Sequence, residues 1–488
     1  MRTRSLIAAA CAFGLLAASC GGSSAEPAVE AESTVAPQTT AEAATTTEAP
    51  AAPAETTTTQ ASDPADDGIL EVPGEYPTIQ AAVDAASSGD LVLIAPGVYN
   101  ESVDVETDGI TIRGISRNEV ILDGQTTLDN GIRVLGASNV AVENLTAINY
   151  TNNSVFWIGS TGYRASYITT QRTGDYGIYA FDSTDGLIEH SFTSGSKDAG
   201  IYIGQCYPCN AVVHDIISEH NGLGYSGTNS GGELYIVDSV FRNNRVGIVP
   251  NSGSYELCYP QRRTTIVGNL VHDNNQDDTP AIDVALLAMG NGILVAGGIG
   301  NVIERNLVFN HARTGIGAVP FLEDTPNDDI PGRDEWDTDC ATARNAEITI
   351  PDGAILWDSF DNVVRDNVVS DSGAADLAVA SVLTDTSTLG NCFEGNTFAT
   401  SAPSGLESKA PCGSAASGDW AAGALNVIAW LEEQASMPPS VDWKTAELPE
   451  IEPQPDMPDA ATAPADPSTA SMPEIDIDGY GLPDDPRG

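Results

Sequence analysis

Four aromatic residues stand 23 apart in this chain: Phe156, Tyr179, Tyr202 and Tyr225. Flat rings at one fixed interval suit saccharide rings, whose C–H faces pack on π surfaces. The same row would also stack on itself and simply stiffen a sheet. Asp182 and Gln205 each follow a member of the row by three residues. Those matching offsets make them the candidates for polar contacts with a ligand. A second chemistry sits further on. The stretch from Glu323 to Asp339 holds eight acids against one Arg. Carboxylates at that density suit calcium; a solvated acidic loop is the competing reading, and no Asp-x-Asp-x-Asp spacing selects the metal. No two of the five His stand at ligand spacing with a third ligand nearby, so no metal site is assigned.

A row of rings at one fixed interval needs a chain that returns to the same place once per interval. Gly-Ile pairs begin at Gly131, Gly177, Gly200, Gly247, Gly292 and Gly315, at one or two multiples of about 23. "NVAVENL", "NAVVHDI", "NVIERNL" and "NVVRDNV" recur out of phase with them, from Asn139, Asn210, Asn301 and Asn362. Short β-branched strands at this period, punctuated by Gly and Asn, predict a solenoid of parallel strands. Alternation then turns Val155, Ile178 and Ile201 inward and the ring after each of them outward. Asn at the corners can bond its copies in the laps above and below.

The repeating phrase resembles the right-handed parallel β-helix family, the pectin-lyase-like proteins, over about residues 68–400. The resemblance implies an all-β solenoid of about 23 residues per turn, with body 68–412. "YPTIQAAVDAASSGDLVLIAPGVYNESV" is similar to the opening turn of pectin methylesterases and implies a helix that caps the open strand edges. Enzymes of this family are lyases, hydrolases or epimerases acting on polysaccharides. Their motifs do not transfer: Gly-His-Gly and Asp-Pro-His are absent, as are the Gln pair and the two Asp of the methylesterases. Catalytic residues therefore stay unassigned. His190, His220 and His311 fall at repeat offsets occupied elsewhere by Asp or Asn, which reads as corner hydrogen bonding.

Insertions enter after the same strand in three laps: "CYPC" from Cys206, "NSGSYELCYPQRR", and "FLEDTPNDDIPGRDEWDTDC". All three should emerge at one corner beside the aromatic row, where loops on a rigid scaffold carry function. "QDDTPAIDVALLAMG" leaves from a different corner. Six cysteines remain after Cys11 and Cys20 are set aside, and they allow 15 pairings. The favoured set is Cys206–Cys209 as a local clip, Cys258–Cys340 between two loops, and Cys392–Cys412 closing the last turn. A redox role for "CYPC" is the alternative, but such motifs sit at helix N-termini.

Charge and ends set the setting. The net charge is -49, and 46 acids against 16 bases remain once the ends are set aside. Nucleic acid is excluded as a partner, because phosphate binding needs clustered Lys and Arg. Arg2 and Arg4 precede an apolar run too short to span a bilayer and remain as an anchor. "LLAASC" resembles a bacterial lipobox, which implies lipidation at Cys20 at the end of a leader, residues 1–20; an ordinary cleaved signal is the alternative. Residues 21–67 read as a disordered Ala/Thr/Pro/Glu tether, and 437–488 as a disordered acidic tail. Between the body and that tail, 413–436 reads as a helix carrying Leu425, Ile428, Ala429 and Leu431 at helical spacing. The chain thus reads as an exported protein that meets its membrane only through lipid. Its candidate roles are carbohydrate binding or processing, a non-enzymatic scaffold, and, third, metal trafficking.

Overall fold

Strands that alternate aliphatic and outward residues, each short and each followed by a corner, can bury one face only by stacking on the next lap. A computed structural model, which describes residues 67–382, 384–420, 425–465 and 475–488, has this architecture. The chain coils as a right-handed parallel β-helix. Its Gly-Ile strands form one parallel sheet of 11 strands, from Val103–Val105 through Ile178–Phe181 and Ala199–Gly204 to Ser401–Ala402. The other two strands of each lap join a sheet of 20 strands that bends around the coil. Val155, Ile178 and Ile201 point into one continuous core, fully buried with Trp157, Ala180 and Ile203.

Corners are held by polar columns. Gln261, Asn301, Asn362 and Asn391 form one column, with side-chain amide contacts of 2.8–2.9 Å from lap to lap. Asn269, Asn306, Asn367 and Asn396 form a second. Other corners need a left-handed backbone. Asn139, Asn210, His190, Asp215 and Asp238 take positive φ there, which Asn, Asp and His tolerate better than most residues. His311 ends a third column, its Nε2 3.2 Å from Asn274 Nδ2. Burial pushes its pKa down to about 3, so the ring is neutral and serves the corner.

Both ends of the coil are closed. The helix Ile79–Ala85, capped by the Thr78 hydroxyl, buries Ile79, Ala82 and Val83 against the first laps. At the far end Leu406, Ala410 and Trp420 enter the core beside the Cys392–Cys412 disulfide. The expected helix over 413–436 is shorter: it runs Val427–Glu433, and residues 421–424 lie outside the described residues. Its buried residue is Trp430, while Ile428 is 40% exposed. Among the described residues no helix is long and apolar enough to cross a bilayer. The expected leader, lipid site and tether, residues 1–67, lie outside the described residues except for Asp67.

The described parts of 437–488 are ordered, contrary to the composition-based expectation. They run along the outside of the coil. Arginines on the coil donate to their carbonyls: Arg245 to Pro438 and Pro439, Arg172 to Trp443 and Ala446, Arg113 to Ala460, Ala463 and Pro464, and Arg305 to Ile477 and Tyr480. Composition weighs only whether a segment can build its own core. This one borrows a surface, and its prolines leave an extended backbone whose carbonyls are free to accept. Ile475, Ile477 and Tyr480 add apolar contact over Val212, Val237 and Val267. Arg305→Ala should therefore release only the last segment. Proteolysis within 475–488 should become rapid, with global stability changed by less than ~1.5 kcal/mol, the worth of a typical hydrogen bond.

Candidate functional site

Register decides which rings share a face. Tyr179 pairs with Phe156 in the preceding lap and with Tyr202 in the next. Their ring centroids are 4.8 and 4.9 Å apart, and the Tyr179–Tyr202 pair is stacked. Tyr225 does not join them. It pairs with Ile201, points inward and is fully buried; the outward residue opposite Tyr202 is Ser226. The insertion "CYPC" delays its lap, so that Ile188 meets Val213 where an unbroken period would bring Ala211. The following corner makes up only part of that delay, and Ala199 meets Leu223 where Gly222 would stand. A net slip of one place turns a side chain to the other face. The fourth rung of the row is therefore core.

Tyr176, in the turn before the strand, supplies the missing surface. Its ring lies 4.5 Å from Tyr179 and 4.8 Å from Tyr202, and Phe181 stacks 5.8 Å from Tyr179 on the other side. Phe156, Tyr176 and Tyr179 are partly buried, so part of each side chain reaches solvent, while Tyr179 packs its faces on neighbouring rings. Tyr202 is only 2% exposed, and its hydroxyl donates to Glu256 Oε1 at 2.5 Å. The loop bearing Glu256 covers that rung.

The three inserted loops meet at one corner, as their offsets predict. Cys206–Cys209 clips the first, and Cys258–Cys340 joins the second to the third. Arg344 of the third pairs with Asp182. Gln205 Oε1 accepts from the Leu257 backbone N–H at 2.8 Å. Both polar candidates thus line one recess of about 500 Å3 with Tyr207 and Asn210. Gln205 is committed to the loop, and Asp182 to Arg344. The acidic loop spends its carboxylates on its own shape. Glu323 accepts from the Ser254 backbone and hydroxyl and from Trp357 Nε1, and Asp328 accepts from Tyr259 and the Thr349 backbone. Among the described residues no group of three or more His, Cys, Asp or Glu is placed to hold a metal ion.

The strongest electrostatic feature was not among the sequence candidates. Burial raises the pKa of Asp198 to about 7; a hydrogen bond from Tyr176 opposes the rise and nearby Asp175 adds to it. Burial likewise raises Glu256 to about 8, where the bond from Tyr202 opposes the shift and the charge of Asp198 adds to it. Asp198 and Glu256 are partly buried residues, and the Oε2 atom of Glu256 is itself buried. Glu256 Oε2 has no hydrogen-bond partner in the protein. Two interacting carboxyls whose pKa burial raises toward neutrality, one bonded by Tyr176 and the other by the sealed Tyr202, are candidates for acid–base work. Asp175 and Asp198 are themselves 23 apart, so the repeat carried a signal for one of them. Glu256 arrives on an insertion and had none.

Residues 153–320 match the family described as "Right handed beta helix region". No curated protein matches the chain. Similar solved structures include the A-module of the mannuronan C-5 epimerase AlgE4 of Azotobacter vinelandii, 15% identical over 66% of this chain and 91% of that one, with a TM-score of 0.43. The periplasmic alginate epimerase AlgG is 13% identical over 64% of this chain and 77% of its own, with a TM-score of 0.35. Pectate lyase Pel9A is 12% identical over 66% and 72%, with a TM-score of 0.38. Likeness at this level concerns the coil alone.

Proposed function

From the premise that the chain coils as a right-handed parallel β-helix, we propose that it binds a carbohydrate polymer along the strip Phe156, Tyr176 and Tyr179, and processes it with Asp198 and Glu256. One observation carries the reading: the partly exposed rings lie on one face, beside two carboxyls whose pKa burial raises to about 7 and about 8. A solenoid surface repeats at roughly 4.8 Å per lap, which suits a linear polymer better than a compact ligand. Acid–base work on a sugar needs one protonated and one ionised group, and an interacting pair supplies both. Self-stacking runs along the row, since Tyr179 packs on Phe156, Tyr176 and Tyr202, and the Glu256 loop seals Tyr202 alone from a ligand.

Export belongs to the same proposal. Three disulfides fit an oxidising compartment. The leader resembles a lipoprotein signal ending at Cys20, and the Ala/Thr/Pro/Glu segment would hold the coil away from the membrane.

Binding of the full chain to a panel of immobilised polysaccharides tests the reading. Tyr179→Ala should weaken binding to the recognised glycan by about 10- to 100-fold, the effect of truncating a central aromatic anchor. Tyr179→Phe should bind as the parent does, because the face and not the hydroxyl makes the contact. A Tyr179→Ala chain that bound every glycan like the parent would remove the strip from the function.

A further inference from the structure

The outward face of the Gly-Ile sheet changes character above Tyr202. Ser226 and Val249 follow it in register, and Leu294 continues the face in the next lap. Over Val249 and Leu294 the face is left incompletely covered. A cavity of about 250 Å3 opens there beneath the helices Asp283–Leu287 and Val427–Glu433, with Phe321 on one wall. Its lining is aliphatic and aromatic apart from Asn251. That amide is already engaged, donating to Tyr255 at 2.6 Å and accepting from Thr228 at 3.2 Å. Water needs two to four polar partners to stay in a cavity, and among the described lining side chains the one amide is already engaged. Val382 and Ile428 line the same cavity and are each 40% exposed, so its mouth is apolar too.

Position and size narrow the occupant. Val249 is three laps above Tyr179, roughly 14 Å at ~4.8 Å per lap, the span of a short run of linked sugars. At ~30 Å3 per water-sized group, the volume holds roughly eight methylenes. Unsubstituted sugars have no use for such walls, and an alkyl chain does. Resting on the reading of the strip as a glycan platform, we propose that this cavity takes the aliphatic chain of an acylated glycan whose sugar rings lie on Tyr179. The ligand class is thus an amphiphilic glycan, and the chain length is set by the cavity.

Calorimetric titration of the full chain, carrying Cys20→Ala so that no lipid of its own competes, separates the two parts. Straight-chain alcohols from pentanol to dodecanol probe the cavity alone. Affinity should rise about four-fold per methylene and level off near eight carbons. Ile428→Glu, at the exposed mouth, should weaken octanol at least ten-fold with the fold intact, and Ala296→Phe should shift the plateau to shorter chains. Octyl glycosides then probe the link. An octyl glycoside with a three-sugar head of the glycan recognised on the panel, long enough to reach Tyr179, should bind more tightly than octanol, and Tyr179→Ala should erase that gain while leaving octanol unchanged. An absence of saturable octanol binding, or an affinity that climbs without a plateau, overturns the proposal at the cavity. Octanol binding with no gain from any glycoside head overturns it at the strip.

Discussion

A chain carrying Asn306→Ala should unfold at a markedly lower denaturant concentration, losing about 3–5 kcal/mol. Asn306 is fully buried in the middle of a corner column. Its side-chain oxygen accepts from both the backbone N–H and the Nδ2 of Asn269, each at 3.0 Å. Its own Nδ2 donates to Asn367 Oδ1 at 2.9 Å and to the Ile266 carbonyl at 3.0 Å. Ala satisfies none of these. The Asn269 amide N–H is left without an acceptor, and the Ile266 carbonyl loses its donor, at about 1–3 kcal/mol for each buried orphan. The cavity left by the amide adds to the loss. Asn100→Ala is the control: it removes a single exposed bond to Asp123 and should cost no more than ~1 kcal/mol. Urea midpoints compare the two. Equal midpoints would mean that the amide columns are not what fixes the corners.

The second large effect is in pH. Glu256 in the folded chain keeps its proton to about pH 8, and Asp198 to about pH 7, whereas in the unfolded chain both release theirs near pH 4. Between those values the folded state binds more protons than the unfolded state. Stability therefore falls as pH rises from about 4.5 to 8, and the penalty is complete above that. Glu256→Gln removes the ionisation and keeps an acceptor for Tyr202. It should be more stable than the parent at pH 9 by about 2–4 kcal/mol and equal to it at pH 4. Thermal melts at the two pH values check the crossing. The same substitution should abolish processing of the recognised glycan while leaving its binding on Tyr179 within a few-fold. Turnover by the parent should follow a bell centred between the two titrations, because one carboxyl must be protonated and the other not. A Glu256→Gln chain with the parent's pH profile for stability and turnover would show that these carboxyls titrate normally and do no acid–base work.

Buried pairing of the kind the carboxyls lack occurs elsewhere. Arg113 and Glu143 meet at 2.7 Å, both 1% exposed, and Arg113 also holds the carboxy-terminal strap through Ala463 and Pro464. One coil therefore contains carboxylates neutralised by arginine and carboxylates left to titrate. The latter, Asp198 and Glu256, bond to Tyr176 and Tyr202.

Sequence alone determined the coil, because its period is written locally. An inward Ile, an outward ring and a corner Asn or Gly recur at nearly fixed intervals, and stacking of laps is the way such strands bury one face. It also determined which insertions share a corner, since an offset from each Gly-Ile is a position on the lap. The cysteine pairing stayed open among 15 in the sequence, and the structure joins the favoured set, Cys206–Cys209, Cys258–Cys340 and Cys392–Cys412. What only the tertiary structure decided depends on sums and on distance. Tyr225 faces inward because the delay at "CYPC" is only partly made up before Leu223, and alternation along a strand converts a single place into a change of face. Glu256 reaches Tyr202 from a distant loop with no period to betray its landing place. The tail is ordered because distant arginines accept it as a ligand. Periodic segments carry their own addresses, whereas a loop or a tail takes its address from whatever surface it meets.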